Sequence, residues 1–305
     1  MDDGQAEALV NAGWALVRAG NSRGAVKQFK SALAIDPENV GALSGLAQSQ
    51  LNLGEIADAS QTAEALLRIA PNRSVGHRLR AEVLRRTHKL PAAMEAANQA
   101  IALDPREPLG YHLLALCHAQ KKAYKAAIAT CEAGLAQAPY SAILMAQQAE
   151  NLLETKGPLK AEPLAEDALR AAPDSIYVLR IAAKIALARG QLDKARALLE
   201  SVLQRNANDE TAVSLYLMAA PREHRTPRFF LIFRYWRTTH PFAGALVQAL
   251  AFALMILGVM VLMYFAKVWG IGLVVVARLF VLSRYRAHRK AVKAHFQSVA
   301  LDKRF

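Results

Sequence analysis

Five prolines, Pro37, Pro71, Pro105, Pro139 and Pro173, follow one another at intervals of 34 residues. So strict a spacing marks an internal repeat, and a repeat of this length restricts a chain to a stacked array of one supersecondary unit. With Ala6 taken as position 1, the prolines occupy position 32 of each unit. Position 20 then reads Ala25, Ala59, Ala93, Ala127, Ala161 and Ala195, and position 8 reads Gly13, Ala47, Ala81, Ala115, Ala149 and Ala183. Position 27 is looser, with Ala32, Leu66, Ala100, Gly134, Ala168 and Val202. Small side chains at fixed points let two antiparallel helices approach closely and let the next pair stack upon them. A proline at position 32 cannot continue a helix and ends it. The stretches Asp36-Pro37-Glu38-Asn39 and Asp104-Pro105-Arg106-Glu107 accordingly read as a turn followed by a helix start. Gly20, Gly54 and Gly190 recur at position 15, where the first helix of a pair ends. The expected fold is all-α, a solenoid in which each unit touches only its neighbours and presents an extended surface.

These residues resemble the tetratricopeptide repeat family. The first unit matches best, with Leu9, Gly13, Leu16, Gly20, Ala25, Phe29, Ala32 and Pro37 at family-typical positions. The resemblance covers six units over about residues 6–209, and the sixth departs from it by carrying Ala207 in place of the proline. A seventh start, Glu210 to Ala220, has Leu217 at the small position and reads as a lone terminal helix. The tryptophan usual at position 4 is replaced by Leu9, Leu43, His77, Tyr111, Met145 and Leu179. The family implies a right-handed α-solenoid whose concave groove binds a peptide or a partner protein. Its groove positions on the first helices fall here on Trp14 and Arg18, Gln48 and Asn52, then Arg78, Glu82, Arg85 and Arg86, and finally Glu150 and Glu154. Co-chaperones of the family grip a C-terminal carboxylate with lysines, asparagines and an arginine. The matching positions here are Val10, Trp14, Gly45, Val75 and Leu79, so that clamp is absent. Arg78, Arg85 and Arg86 have two readings, as a reader of an acidic partner segment or as a solvated helix face.

The formal net charge of +13 is unevenly placed. Residues 1–220 hold 24 basic against 23 acidic side chains, whereas residues 221–305 hold 14 against 2, Glu223 and Asp302. Such asymmetry points to nucleic acid or membrane. The neighbouring sequence favours membrane, since no nucleic-acid motif accompanies the charge. Phe242 to Phe265 is a run of 24 residues with one polar side chain, Gln248. As a helix it reaches about 36 Å, enough for a hydrocarbon core of ~30 Å. Val268 to Leu282 is apolar except for Arg278, but reaches only about 22 Å. Basic residues flank both sides, and Lys/Arg-rich short flanks stay cytoplasmic. This favours a transmembrane or re-entrant helical hairpin over residues 242–283, the competing arrangement being one span with an interfacial second segment.

The flanks themselves suit the headgroup boundary. Residues 221–241 form a basic aromatic linker, in which Arg228, Arg234, Trp236 and Arg237 are expected at the interface. Residues 284–305 form a basic amphipathic helix, with Tyr285, Val292, Phe296 and Val299 near one face. Arg284, Arg286, Arg289, Lys290 and Lys293 face an anionic leaflet in this reading, and Arg278 snorkels or faces protein.

The acidic start Met1-Asp2-Asp3-Gly4 carries no export or lipidation signal, which places the solenoid, residues 1–220, in the cytoplasm. Arg outnumbers Lys by 24 to 14, a hint of a GC-rich bacterium and so of the inner membrane. An apolar share of 53% excludes intrinsic disorder, and two cysteines exclude a disulfide scaffold. Cys117 and Cys131 are expected as buried thiols between helices. His112 and His118 lack the spacing for chelation on one helix face, and His288 and His295 lie about two turns apart, too distant for one metal. No phosphate loop, HExxH or GxSxG occurs. The chain is therefore expected to be no enzyme and to need no cofactor. It reads as a membrane-anchored scaffold or adaptor that organises a protein partner at the cytoplasmic face. The alternative is an integral subunit of a larger envelope assembly of secretion or polysaccharide-export type, its hairpin packed among other helices. Gln248, Arg278, Gly258, Gly270 and Gly272 speak for such contacts. Self-association through terminal repeats is left open.

Overall fold

The computed structural model describes residues 2–219 together with 289 and 290, and these form an all-α array of thirteen named helices with no strand. They are α1 (Asp2–Arg18), α2 (Ser22–Ile35), α3 (Val40–Leu53), α4 (Ile56–Ile69), α5 (Ser74–Arg86), α6 (Leu90–Leu103), α7 (Pro108–Gln120), α8 (Tyr124–Gln137), α9 (Ala142–Lys156), α10 (Pro158–Ala171), α11 (Ile176–Ala188), α12 (Leu192–Arg205) and α13 (Glu210–Ala219). From α3 to α13 the odd-numbered helices begin 34 residues apart, and so do all the even-numbered ones. The proline period is thus the period of the helix pairs.

What stops each even helix is the residue just before the proline. Asp36 leaves the helical region at φ −130°, ψ 94°, and the N–H of Asn39 then donates to the Asp36 carbonyl at 3.2 Å. In the sixth unit Asn206 does the same at φ −141°, ψ 86°, with Asp209 N–H on the Asn206 carbonyl at 3.1 Å. Ala207 therefore sits in an equivalent turn without proline's help. At position 15 the sequence identifies three glycines, and the structure adds two residues of another kind. Gly20, Gly54 and Gly190 have φ of 75°, 81° and 78°, while His88 and Lys122 adopt 61° and 60° at the same repeat position. The fifth unit differs, since α9 runs through Lys156 and Gly157, at φ 78°, opens α10.

The described residues divide into two compact units, one up to Ile185 and the other from Ala186 onward. In the first, the alanines at positions 8 and 20 are fully buried, Ala47, Ala81, Ala115, Ala149 and Ala183 on odd helices and Ala25, Ala59, Ala93, Ala127 and Ala161 on even ones. A larger residue at these contacts would force the helix pair apart. Phe29 of α2 is the bulky exception, and its room comes from Gly13 of α1 and Gly45 of α3, where a Cβ would meet the ring at 2.6 and 2.2 Å. Successive odd helices from α1 to α9 touch one another, whereas α2, α4, α6, α8 and α10 pack on odd helices alone. The odd helices thus form a continuous inner row.

In the second unit, Ala186, Ala195 and Ala219 form a small cluster with Leu187, and Leu199, Val202 and Leu203 are buried on α12. Arg196 Nη2 donates to the Ala219 carbonyl at 2.9 Å and ties α12 to the end of α13. Among the described residues no helix is long and apolar enough to cross a membrane. The expected membrane segments, residues 242–283, lie outside the described residues.

Candidate partner-docking face

The repeat register carries one residue of each odd helix to each position along the inner row. Position 9 reads Trp14, Gln48, Glu82, Leu116, Glu150 and Lys184, and position 5 reads Val10, Ser44, Arg78, His112, Ala146 and Arg180. These side chains are held on helices, not loops, so their spacing is fixed by helix packing.

At the N-terminal end the face is aromatic and apolar. Trp14 is half-buried and meets Phe29 edge to face, with ring centroids 5.6 Å apart and planes at 71°. Arg18 is exposed one turn further on. Gln48 Nε2 donates to Asn52 Oδ1 at 3.2 Å along α3.

The centre is a charge cluster on α5. Arg85 donates from Nε to Glu82 Oε2 and from Nη2 to Oε1, each at 2.8 Å, a bidentate pair. Arg86 Nε donates to the same Oε1 at 2.5 Å, and its Nη1 reaches the Leu51 carbonyl of α3 at 2.6 Å. One carboxylate thus engages two arginines, and one of them also satisfies a carbonyl in the last turn of the neighbouring odd helix. Burial acts to raise the Glu82 carboxyl, but the hydrogen bonds and charges of Arg85 and Arg86 outweigh it and hold the group below its ordinary value. Burial likewise acts to lower Arg85, and Glu82 reverses the sign.

Arg78 is different. Burial lowers its pKa, only partly opposed by the charge of Glu107. Its Nε is buried without a hydrogen-bond partner. The three central arginines, equivalent in the sequence, are therefore two engaged and one unengaged.

Beyond the cluster, His112 is buried and packs edge to face on Tyr177, with centroids 5.2 Å apart. Tyr177 OH donates to the buried Gln147 Oε1 at 2.6 Å, which links α11 to α9. Burial, with Arg85 adding to it and Glu82 opposing, lowers His112 to about 4, so the ring is neutral at physiological pH. At the far end Lys184 of α11 donates to Glu150 Oε1 at 3.2 Å and to Glu154 Oε1 at 3.1 Å, joining two odd helices. Lys184, His112 and Tyr177 were legible as positions 9, 5 and 2 of their units, had the register been extended to every repeat.

Of the residues expected at the membrane interface, Arg228, Arg234, Trp236, Arg237, Arg278, Arg284, Arg286 and Lys293 lie outside the described residues. Arg289 and Lys290 are described, and Arg289 Nη2 lies 2.9 Å from Glu210 Oε2 at the start of α13. Among the described residues no group of three His, Cys, Asp or Glu side chains is placed to hold a metal ion. Cys117 and Cys131 are buried free thiols, and burial pushes them up to about 11 and about 12, where neither is a nucleophile at neutral pH.

No curated protein sequence matches the chain. Solved structures share the fold at low identity. A tetratricopeptide repeat protein from Parabacteroides merdae aligns with a TM-score of 0.58 at 17% identity, over 70% of this chain and 84% of its own. The APC/C hetero-tetramer Cut9–Hcn1 aligns at 0.56 and 18% identity over 71% of this chain, which spans only 43% of that one. PilW, a widely conserved type IV pilus biogenesis factor, aligns at 0.51 and 20% identity over 68% of this chain and 96% of its own. Two sequence models described as tetratricopeptide repeat match as well, one over residues 3–83 and 152–220 and the other over residues 78–142. With these matches spread over all six helix pairs, the chain belongs to the tetratricopeptide repeat family.

Proposed function

We propose that this protein is a membrane-anchored scaffold whose inner row of odd helices docks a protein partner at the cytoplasmic face of a bacterial inner membrane. The observation that carries the docking reading is the continuity of that row. Position 9 places an aromatic, polar or charged side chain on five of six successive odd helices, Leu116 being the exception, and repeat arrays use such surfaces for extended recognition. The membrane part rests on the sequence, on the apolar residues 242–265 and the basic flanks on either side. Tethering raises the effective concentration of the face toward a membrane-bound partner, so even a weak contact suffices. The type IV pilus assignment of PilW belongs to that protein, and a likeness at 20% identity carries the fold alone.

The experiment is site-specific photo-crosslinking in the full chain in native membranes. A crosslinker at Gln48 or Leu116 on the inner row is expected to capture a discrete partner, and one at Glu95 or Asn98 of α6 is not. Capture from α6 but not from the inner row would overturn the reading. Alkaline extraction of the same membranes tests the anchor, which should keep the chain in the pellet. Replacing residues 242–283 with a foreign hairpin separates adaptor from integral subunit. An adaptor keeps its crosslinks, whereas a subunit whose hairpin packs among other helices loses them.

A further inference from the structure

The central charge cluster is not balanced. Three arginines, Arg78, Arg85 and Arg86, stand against two carboxylates, Glu82 and Glu107, which leaves one net positive charge. Glu82 already occupies the forks of Arg85 and Arg86, with all three contacts between 2.5 and 2.8 Å, and Arg86 is further fixed on the Leu51 carbonyl. To bind a partner's carboxylate, either arginine would have to give up a half-buried, charge-assisted bond inside its own helix. Arg78 gives up nothing. It sits at position 5 of the inner row, its Nε is buried without an acceptor, and among the described residues no ion pair within 4 Å holds it. Glu107 is near enough to act on Arg78 through its field, but its Oε1 serves as the acceptor for Leu109 N–H at 3.4 Å, the N-cap of α7.

A partly desolvated guanidinium is destabilised in the free protein; Nε is out of reach, so an incoming anion meets the outer guanidinium nitrogens and offsets the cost of burying the charge. We infer that, of the three central arginines of the docking face, Arg78 is the anion-reading residue and takes a single aspartate or glutamate carboxylate from an acidic segment of the partner protein. Arg85 and Arg86 are positioning residues that hold α5 against α3. This rests on the reading of the inner row as the docking face. The surplus of one charge sets the valence. Attraction to the cluster grows in proportion to the charge of the anion, whereas the cost of desolvating it grows with the square, which favours a monoanion over a dianionic phosphate at a half-buried site.

The test measures binding of a fluorescein-labelled oligoglutamate peptide to the purified full chain at low salt, with a matched oligoglutamine peptide as control. Arg78→Met should weaken oligoglutamate binding by about ten- to a hundredfold, the loss expected for one charge-assisted contact. Arg78→Lys, which keeps the charge, should recover part of it. Arg85→Met and Arg86→Met should lower the melting temperature and leave the peptide affinity unchanged. Equal binding by wild type and Arg78→Met, or a loss in the other two variants as large as that at Arg78, would overturn the assignment. Tighter binding of a phosphoserine peptide than of oligoglutamate would overturn the monoanion argument. Refusal of oligoglutamate while crosslinks from Gln48 or Leu116 persist sinks the acidic segment and leaves the docking face standing. Loss of both sinks the docking face itself.

Discussion

Replacing Gly45 with alanine tests the close packing that the repeat depends upon. Phe29 is fully buried and its ring lies between α1 and α3. A Cβ at Gly45 would stand 2.2 Å from Cζ, 2.4 Å from Cε1 and 2.7 Å from Cε2 of that ring. The ring has little room to retreat toward α1, because its edge already fills the space beside Gly13, within 2.6 Å of where a Cβ would stand, and Trp14 packs on it. Two effects compete. Alanine is the better helix former and should stabilise α3 by about 0.5–1 kcal/mol. Overpacking against a rigid buried ring costs about 1–3 kcal/mol, and the short contacts put this site at the upper end. The expected net is a loss of about 2 kcal/mol. Urea denaturation of the full chain followed by far-ultraviolet circular dichroism reads this as a lower midpoint. Amide exchange places the loss in α1–α3, since a repeat array can lose its end locally. Phe29→Leu in the same chain removes the ring edge, so the double variant should be less destabilised than the sum of the singles. A Gly45→Ala chain more stable than wild type, with strict additivity toward Phe29→Leu, would refute the argument that the glycines exist to seat the ring.

Other outcomes follow from single residues. Lys122 holds φ 60° with an exposed side chain, so Lys122→Gly should raise the urea midpoint, with a gain of about 0.5–1 kcal/mol once glycine's greater freedom in the unfolded chain is subtracted. His112 titrates at about 4 when folded against 6.5 when free, so the unfolded chain binds the extra proton first as pH falls. Stability from this group is complete above about pH 6.5 and is lost down to about pH 4, by up to about 3 kcal/mol. A stability–pH curve of His112→Phe should be flatter across that window, and an unchanged slope would show that His112 is not the titrating group. Lys184→Met should loosen α11 from α9 by about 1 kcal/mol, because Glu150 and Glu154 lose a half-buried counter-ion. Added salt should narrow the difference between that variant and wild type.

The helix pairs were legible because their determinants are local and periodic. Small residues at positions 8 and 20 and the turn before position 32 recur wherever two helices must touch, and the predicted start at Glu210 is the first residue of α13. The positive φ at position 15 was legible only where glycine marks it. His88 and Lys122 carry no sequence signal for a conformation that the repeat geometry imposes. The seat of Phe29 was also hidden, for Gly45 lies outside the small-residue positions and its partner is in another helix. In the inner row the residue types could be listed from the register, but their engagement could not, because it depends on which fork reaches which carboxylate.

That distinction changes what the charges of this face mean. Summed along the sequence, the third unit is basic and the fifth acidic, which suggests a partner with opposite charge at each end. In space the charges are largely engaged with one another. Glu82 takes up Arg85 and Arg86, while Lys184, from the sixth unit, takes up Glu150 and Glu154 of the fifth. Each triad keeps one unit of charge, positive around Glu82 and negative around Lys184, so the ion pairs reduce the field along the row without removing it. Selectivity then comes from side chains that are not already engaged, and in the described centre of the row Arg78 is such a residue. The ion pairs have a different consequence. Lys184 spans α9 and α11, and Arg86 spans α3 and α5, so both act between neighbouring repeats, beside a core in which Leu43 and Leu51 of α3 pack with Leu79 and Val83 of α5. Removing them should change the cooperativity between neighbouring repeats more than the affinity for a partner, whereas removing Arg78 should do the reverse.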